Sequence, residues 1–232
     1  MTPPINHRSL RQAMTGAAMA AALTVGLTGC AGSPPTVYHT LLLPDPGREA
    51  QAQARVAEAP YLLEVLPVDV PVQADQPQVM LRDGQGAVTP LYSDRWTAPI
   101  GDEIRAALSD TLTRTLGAAD VRGLRPAAGS PVWRVQVDVQ RFDATVGEAA
   151  LLDATWRVRP VDTAGRALLC RSVVRAGLAG PSVHAAVAAQ QQAVAELART
   201  IASAIQTQGR SAQASGQGVQ LSNCRSSSPT EG

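Results

Sequence analysis

The chain predicts an α+β fold: a largely antiparallel sheet with two amphipathic helices packed on one face. Three observations carry this. Between Trp133 and Ala176, three successive stretches alternate apolar and polar residues, the period of half-buried strands. Two other stretches, 100–116 and 183–205, space their apolar residues by three and four, the period of one helical face. The order is strands, helix, strands, helix, with no internal repeat, and the economical solution is one sheet covered on one side.

The elements follow in order. Tyr38 to Leu43 is a short apolar run ended by Pro44, a first strand. Residues 44–59 are rich in Pro, Ala, Gln, Glu and Arg without strong periodicity, which suits a connecting loop or a loose helix. Tyr61 to Val70 is apolar on both alternating faces except at Glu64 and Asp69, as in a strand buried on both sides, with Pro67 placed at an edge or a bulge. Val79 to Arg82 is a brief strand. Asp83, Gly84, Gln85 and Gly86 then form a hairpin turn into a strand at Val88 to Tyr92. A loop from Ser93 to Pro99 leads into the first helix, whose stripe is Ile100, Ile104, Leu108, Leu112 and Leu116. Thr97 or Pro99 starts it, Asp102 and Glu103 sit in the dipole-favoured first turn, and Gly117 ends it.

In the meander that follows, Trp133, Val135, Val137 and Val139 oppose Arg134, Gln136, Asp138 and Gln140. Its partner, Ala150 to Val161, sets Leu152, Ala154, Trp156 and Val158 against Asp153, Thr155, Arg157 and Arg159. Asp162 to Gly165 turns into a third strand with Leu168, Cys170, Val174 and Ala176 on one face, Ser172 the one polar member, and Arg171 and Arg175 on the other. Such strands leave one face of the sheet wet. Ser182 caps the second helix, whose stripe of Val183, Val187, Val194, Leu197, Ile201 and Ile205 is interrupted by Gln190, Gln191 and Gln192. Gly209 closes it. Residues 209–232 are mostly Ser, Gln, Gly and Ala, and disorder is expected there apart from any tie through Cys224.

The first 29 residues read as a leader. Arg8 and Arg11 form a basic head, and the apolar run from Ala13 to Val25 is too short for a permanent span, which needs roughly 20 residues. Leu27, Thr28, Gly29 and Cys30 resemble the bacterial lipobox. That resemblance implies a diacylglycerol thioether on Cys30, cleavage before it, and acylation of the new amine. The alternative is an ordinary signal peptide in which Cys30 happens to follow the cut. Residues 31–36, small, polar and broken by proline, suit a tether, so 30–37 is taken as anchor and tether and 38–208 as the single domain. Two or three acyl chains suffice for stable anchoring. Ala31 in place of an aspartate implies the outer membrane, on its periplasmic face.

Removing the leader leaves about 200 residues, enough for one sizeable core. The 20 basic residues lose Arg8 and Arg11, leaving 18 against 19 acids, a net charge near −1. No basic excess remains for nucleic acid. All the basic residues are arginine, so no Schiff-base or Ser-Lys chemistry is available. With Cys30 lipidated, Cys170 and Cys224 are left as a pair in an oxidising compartment. They are either a disulfide closing a loop of about 54 residues, which stabilises by roughly 4 kcal/mol on the loop-entropy model, or two free thiols.

No catalytic constellation stands out. The mature chain has His39 and His184, neither with a sequence neighbour that would make a base or metal cluster. There is no GxSxG, HExxH, CxxC or phosphate loop. Glu148 and Asp153 differ by an odd number and would alternate faces on a strand, so they do not form a carboxylate pair. No metal or cofactor is called for beyond the covalent lipid on Cys30. Trp133 and Trp156 lie on apolar strand faces and are explained by packing. Trp96, beside Arg95 at the mouth of a helix, is either an anchor for the helix start or part of a partner-facing surface.

Several segments together resemble the ABC-type transport auxiliary lipoproteins. These are the lipobox at Cys30, Tyr38 to Leu41, the Leu63 to Pro67 strand running into proline, and the Pro77, Gln78 to Arg82 element. The most specific is Leu91, Tyr92, Ser93, Asp94, Arg95, Trp96, followed by Ala98, Pro99 and an amphipathic helix. The family's usual Ala-Glu-Pro-Leu after Arg-Trp is here Thr97, Ala98, Pro99, Ile100, without the acid. The likeness covers roughly residues 27 to 207, the second half in element order more than in motif. It implies a non-enzymatic envelope component working beside an inner-membrane ABC permease and ATPase and a periplasm-spanning MCE-domain protein, moving lipids or other apolar molecules between membranes. Arg95 and Trp96 are the candidate partner-binding residues, and a homo-oligomer would suit a docking role. A rival reading is an outer-membrane assembly factor or pilotin-like escort. A third, an anchored hydrolase, requires an apolar pocket with a convergent acid or histidine.

Overall fold

In the computed structural model, which describes residues 34–44 and 59–227, the sheet is built around one long strand. β5 (Val132–Thr145) pairs antiparallel with β6 (Ala149–Val161), β6 with β7 (Ala167–Gly177), and β7 with β8 (Val219–Ser227). The other edge of β5 carries two short strands in tandem. β2 (Leu62–Val65) runs parallel to its first residues and β3 (Gln78–Arg82) to its last. The interval between them keeps touching β5 at an Asp69–Asp138 bridge, but Pro67, Pro71 and Pro77 remove the donors that a continuous strand would need. The strand expected over Tyr61 to Val70 therefore ends at Val65.

β3 forms the expected hairpin with β4 (Val88–Trp96), and β1 (Val37–His39) lies parallel to the end of β4 at the sheet margin. Eight strands thus make one sheet in the order β1-β4-β3-β5-β6-β7-β8, with β2 beside β5. Two helices among the described residues, α1 (Ile100–Leu116) and α2 (Val183–Gln206), cover one face. α2 lies over β5, β6 and β7, and α1 packs on α2 and β2. This is the α+β arrangement, mostly antiparallel, that the periodicities call for. From Thr36 onward the described residues belong to one compact unit.

The core is aliphatic, with Trp133 and Trp156 buried in it. The polar exception on β7 has a role: Ser172, fully buried, accepts a 2.8 Å hydrogen bond from Trp156 Nε1. An indole N–H buried without an acceptor would cost about 1–3 kcal/mol. Ser182 caps α2 by accepting from Ala185 N–H, and Gly117 ends α1 at φ 65°. Gly209 follows α2 at φ 71°, where its N–H donates to Ala204 O.

Two expectations need correction. Residues 219–227, within the stretch expected to be disordered, form β8 along β7. The reason is non-local: β7 supplies a free edge, and Cys170 is joined to Cys224 across the pair with S–S 2.03 Å. Arg95 and Trp96, expected in a loop, are the last residues of β4, because β1 offers them a partner 57 residues away in the chain (Tyr38 opposite Arg95). Cys30, the leader, most of the tether and residues 45–58 lie outside the described residues.

A candidate docking site where the first strand meets the first helix

The Tyr-Ser-Asp-Arg-Trp segment enters the site as strand. β1 pairs with it in register, Val37 with Asp94, Tyr38 with Arg95 and His39 with Trp96. His39 Nε2 lies 2.8 Å from Asp94 Oδ1, tying the two strands through their side chains. Trp96 N–H donates to Pro77 O and Thr97 N–H to His39 O, so the end of β4 is held from both sides.

Trp96 is only 6% exposed and belongs to the core, which makes it the anchor for the start of α1. Of the Arg95–Trp96 pair, only Arg95 keeps substantial surface, being half-buried. Beside it, Tyr38 is 63% exposed, and Tyr92 farther back on β4 is 75% exposed. Tyr38, Arg95, Asp75 to Pro77 and Trp96 to Pro99 line a shallow depression of about 320 Å³. Exposed tyrosine beside arginine is the composition of protein contact surfaces, where both are enriched.

Beneath this surface lies a polar clamp. After β1 the chain turns inward, and Leu41 is fully buried. The Glu103 carboxylate, itself buried, accepts from Thr40 Oγ1 at 2.8 Å, from Leu41 N–H at 2.8 Å and from Thr97 Oγ1. From the other helix, Gln191 Nε2 donates to Thr40 O at 2.8 Å and Leu42 O at 3.1 Å. Both helices therefore hold the segment that follows β1. Glu103 sits in the first turn of α1, as expected, and in addition its buried carboxylate holds the segment behind β1. The signal was in the spacing: Ile100, Glu103, Ile104 and Ala107 fall on one helical stripe, so Glu103 points with the core residues. Gln191 has the same explanation for the polar interruption of α2.

A second buried polar group braces the same layer. Arg105 on α1 donates through Nε to Val65 O and pairs through Nη2 with Asp120 at 3.1 Å, while Ser109 Oγ and Val65 N–H also donate to Asp120. On the wet face of the sheet, Arg171 is bound by Asp153 and Arg141 by Asp143. In each case the hydrogen bond to the carboxylate shifts the guanidinium further toward its charged form.

Among the described residues no cluster of His, Cys, Asp and Glu could hold a metal ion. His184 sits in the first turn of α2, far in sequence from Asp94 and His39, and Asp153 is engaged by Arg171 rather than poised with Glu148. No helix among the described residues is long and apolar enough to cross a membrane.

Comparison with known proteins places this geometry. The chain aligns with two solved structures over most of their lengths. One is described as an uncharacterized protein, at 16% identity and TM-score 0.56, covering 74% of this chain and 99% of that one. The other is protein XCC0632 from Xanthomonas campestris, of the DUF330 family, at 15% identity and TM-score 0.51, covering 75% and 97%. At these identities they establish a shared fold. No curated protein matches the sequence. The family of ABC-type transport auxiliary lipoprotein components matches residues 41–202, from the buried Leu41 behind β1 through nearly the whole of α2. The chain belongs to that family.

Proposed function

We infer that this protein is a lipid-anchored periplasmic subunit of an ABC-type transport system, held to the outer membrane through Cys30. Its role is to dock a periplasm-spanning MCE-domain protein, which with an inner-membrane permease and ATPase moves lipids or other apolar molecules between membranes. The family match over residues 41–202 carries this reading. The lipobox-like Leu27 to Cys30, the short tether, and the exposed Tyr38 beside the half-buried Arg95 at a rigidly held strand end support it. The protein acts by binding and not by catalysis. The covalent lipid is its one added group.

Two measurements test it. In cells fed labelled palmitate, the chain takes up label and fractionates with the outer membrane, and Cys30→Ser abolishes both. Mild crosslinking followed by affinity isolation and mass spectrometry recovers an MCE-domain protein and its permease. Recovery of an outer-membrane assembly or secretion machine instead transfers the protein to the escort class. Clean isolation of the protein alone removes the docking role.

A further inference from the structure

The wet face of the sheet is not evenly charged. Residues opposite one another in register share a face, so the pairings of β5 to β8 order its side chains into rows. In one row Arg134 stands opposite Arg159. In the next, Gln136, Arg157, Leu169 and Arg225 follow one another across four strands. Arg134 is bound by Glu64 at 2.6 Å. Arg157, Arg159 and Arg225 are exposed, and no hydrogen bond or ion pair among the described residues engages their guanidinium groups. Four arginines thus face the single carboxylate of Glu64, and Asp138 lies one row farther on, beside Thr155.

This is an uneconomical arrangement for a fold. Like charges set directly opposite on a sheet destabilise it, and Arg134 opposite Arg159 is such a pair. The mature sequence is close to neutral, so the concentration at one end of one face is local and not a consequence of overall composition.

We propose that this arginine-rich end of the open sheet face rests on the anionic phospholipid headgroups of a membrane. The shape favours a membrane over a protein partner. The depression at this end of the face, bounded by Gln136, Asp138, Thr155, Trp156, Arg157 and Leu169, is shallow, about 220 Å³. Protein contacts depend on a few aromatic or apolar anchors in fitted pockets. None of the strongly exposed large apolar side chains among the described residues lies on β5, β6, β7 or β8. Arg157 and Arg225 stand two strands apart, about 10 Å at the backbone, a spread that meets several headgroups at once. Such attraction adds up charge by charge and needs no fixed partner geometry.

The biological setting rests on the lipid-anchored reading, yet the two fail separately, because the arginines are tested without the lipid. The mature chain from residue 30 onward, carrying Cys30→Ala, is sedimented with phosphatidylcholine vesicles and with vesicles containing phosphatidylglycerol. Binding is expected on the phosphatidylglycerol vesicles above the phosphatidylcholine level, declining as salt rises. Each arginine contributes about fivefold, so Arg157→Gln, Arg159→Gln and Arg225→Gln together lower the partition coefficient on the order of a hundredfold. The matching triple lysine variant retains binding. Equal binding to both vesicles, or no loss in the glutamine variant of unchanged circular dichroism, overturns the proposal. So does arginine-dependent capture of poly-glutamate without vesicle binding, or loss in the lysine variant, either of which gives the face to an acidic protein segment read by the guanidinium fork.

Discussion

At the scale of the residue, Glu103 has the largest consequences for its size. It is buried, and its carboxylate collects three donors from two separate segments, Thr40 and Leu41 behind β1 and Thr97 before α1. Truncation strands the Leu41 amide in the interior, and hydrogen bonds to a charged acceptor contribute roughly 1.5–3 kcal/mol. Glu103→Ala is expected to lower the thermal midpoint by roughly 5–10 °C for a chain of this size. Glu103→Gln keeps an acceptor for Leu41 N–H and loses less. Calorimetry on the two variants checks both the size and the order. A similar loss in each would show that the site depends on charge and not on the acceptor.

At the scale of the element, α2 is closed by a backbone conformation that only glycine takes cheaply. Gly209 has φ 71°, and a Cβ there would lie 1.8 Å from Arg166 O. The left-handed conformation alone costs an alanine roughly 1–2 kcal/mol, and the clash adds to it. Gly209→Ala is expected to destabilise by more than that and to loosen the β6–β7 turn beside it, seen as faster amide exchange at Arg166. The helices and the three-strand meander were legible in the sequence because their signals are local and periodic: Ile100 to Leu116, Trp133 to Val139 and Val183 to Ile205 each declare a buried face. The parallel pairings of β1 with β4 and of β2 with β5 were not, because they join residues 57 and 70 apart and leave no local pattern. For the same reason Arg95 and Trp96 could be singled out as a candidate site but not placed on a strand. β8 was hidden by composition, its Ser and Asn residues resembling a tail until β7 gives them a partner.

At the scale of the whole molecule, the sheet has two margins, and each is blunted. β1 is three residues long, and β8 carries an irregularity opposite Leu169 to Arg171 of β7, where Asn223 takes φ 52°. Short and bulged edges discourage pairing with other chains. Non-reducing mass mapping is expected to find Cys170 and Cys224 in one linked peptide pair, and replacing both by serine to cost about 2–4 kcal/mol. Deleting residues 219–227 bares the longer edge of β7, and the truncated chain is expected to run as soluble aggregates on size exclusion. A monomeric truncated chain of unchanged thermal stability would show that β8 is dispensable.

The clamp behind β1 has a mechanical meaning. A pull arriving at Val37 from the residues before it runs along β1, whose three residue pairs with β4 lie side by side. They are therefore loaded in shear and share the force, where a hairpin pulled from its end would peel one bond at a time. What passes β1 meets Glu103 on one helix and Gln191 on the other. Load is thus divided between two helices before it reaches the sheet. A domain loaded at its first strand in this way takes up tension as one body, and its sheet keeps its shape under the pull.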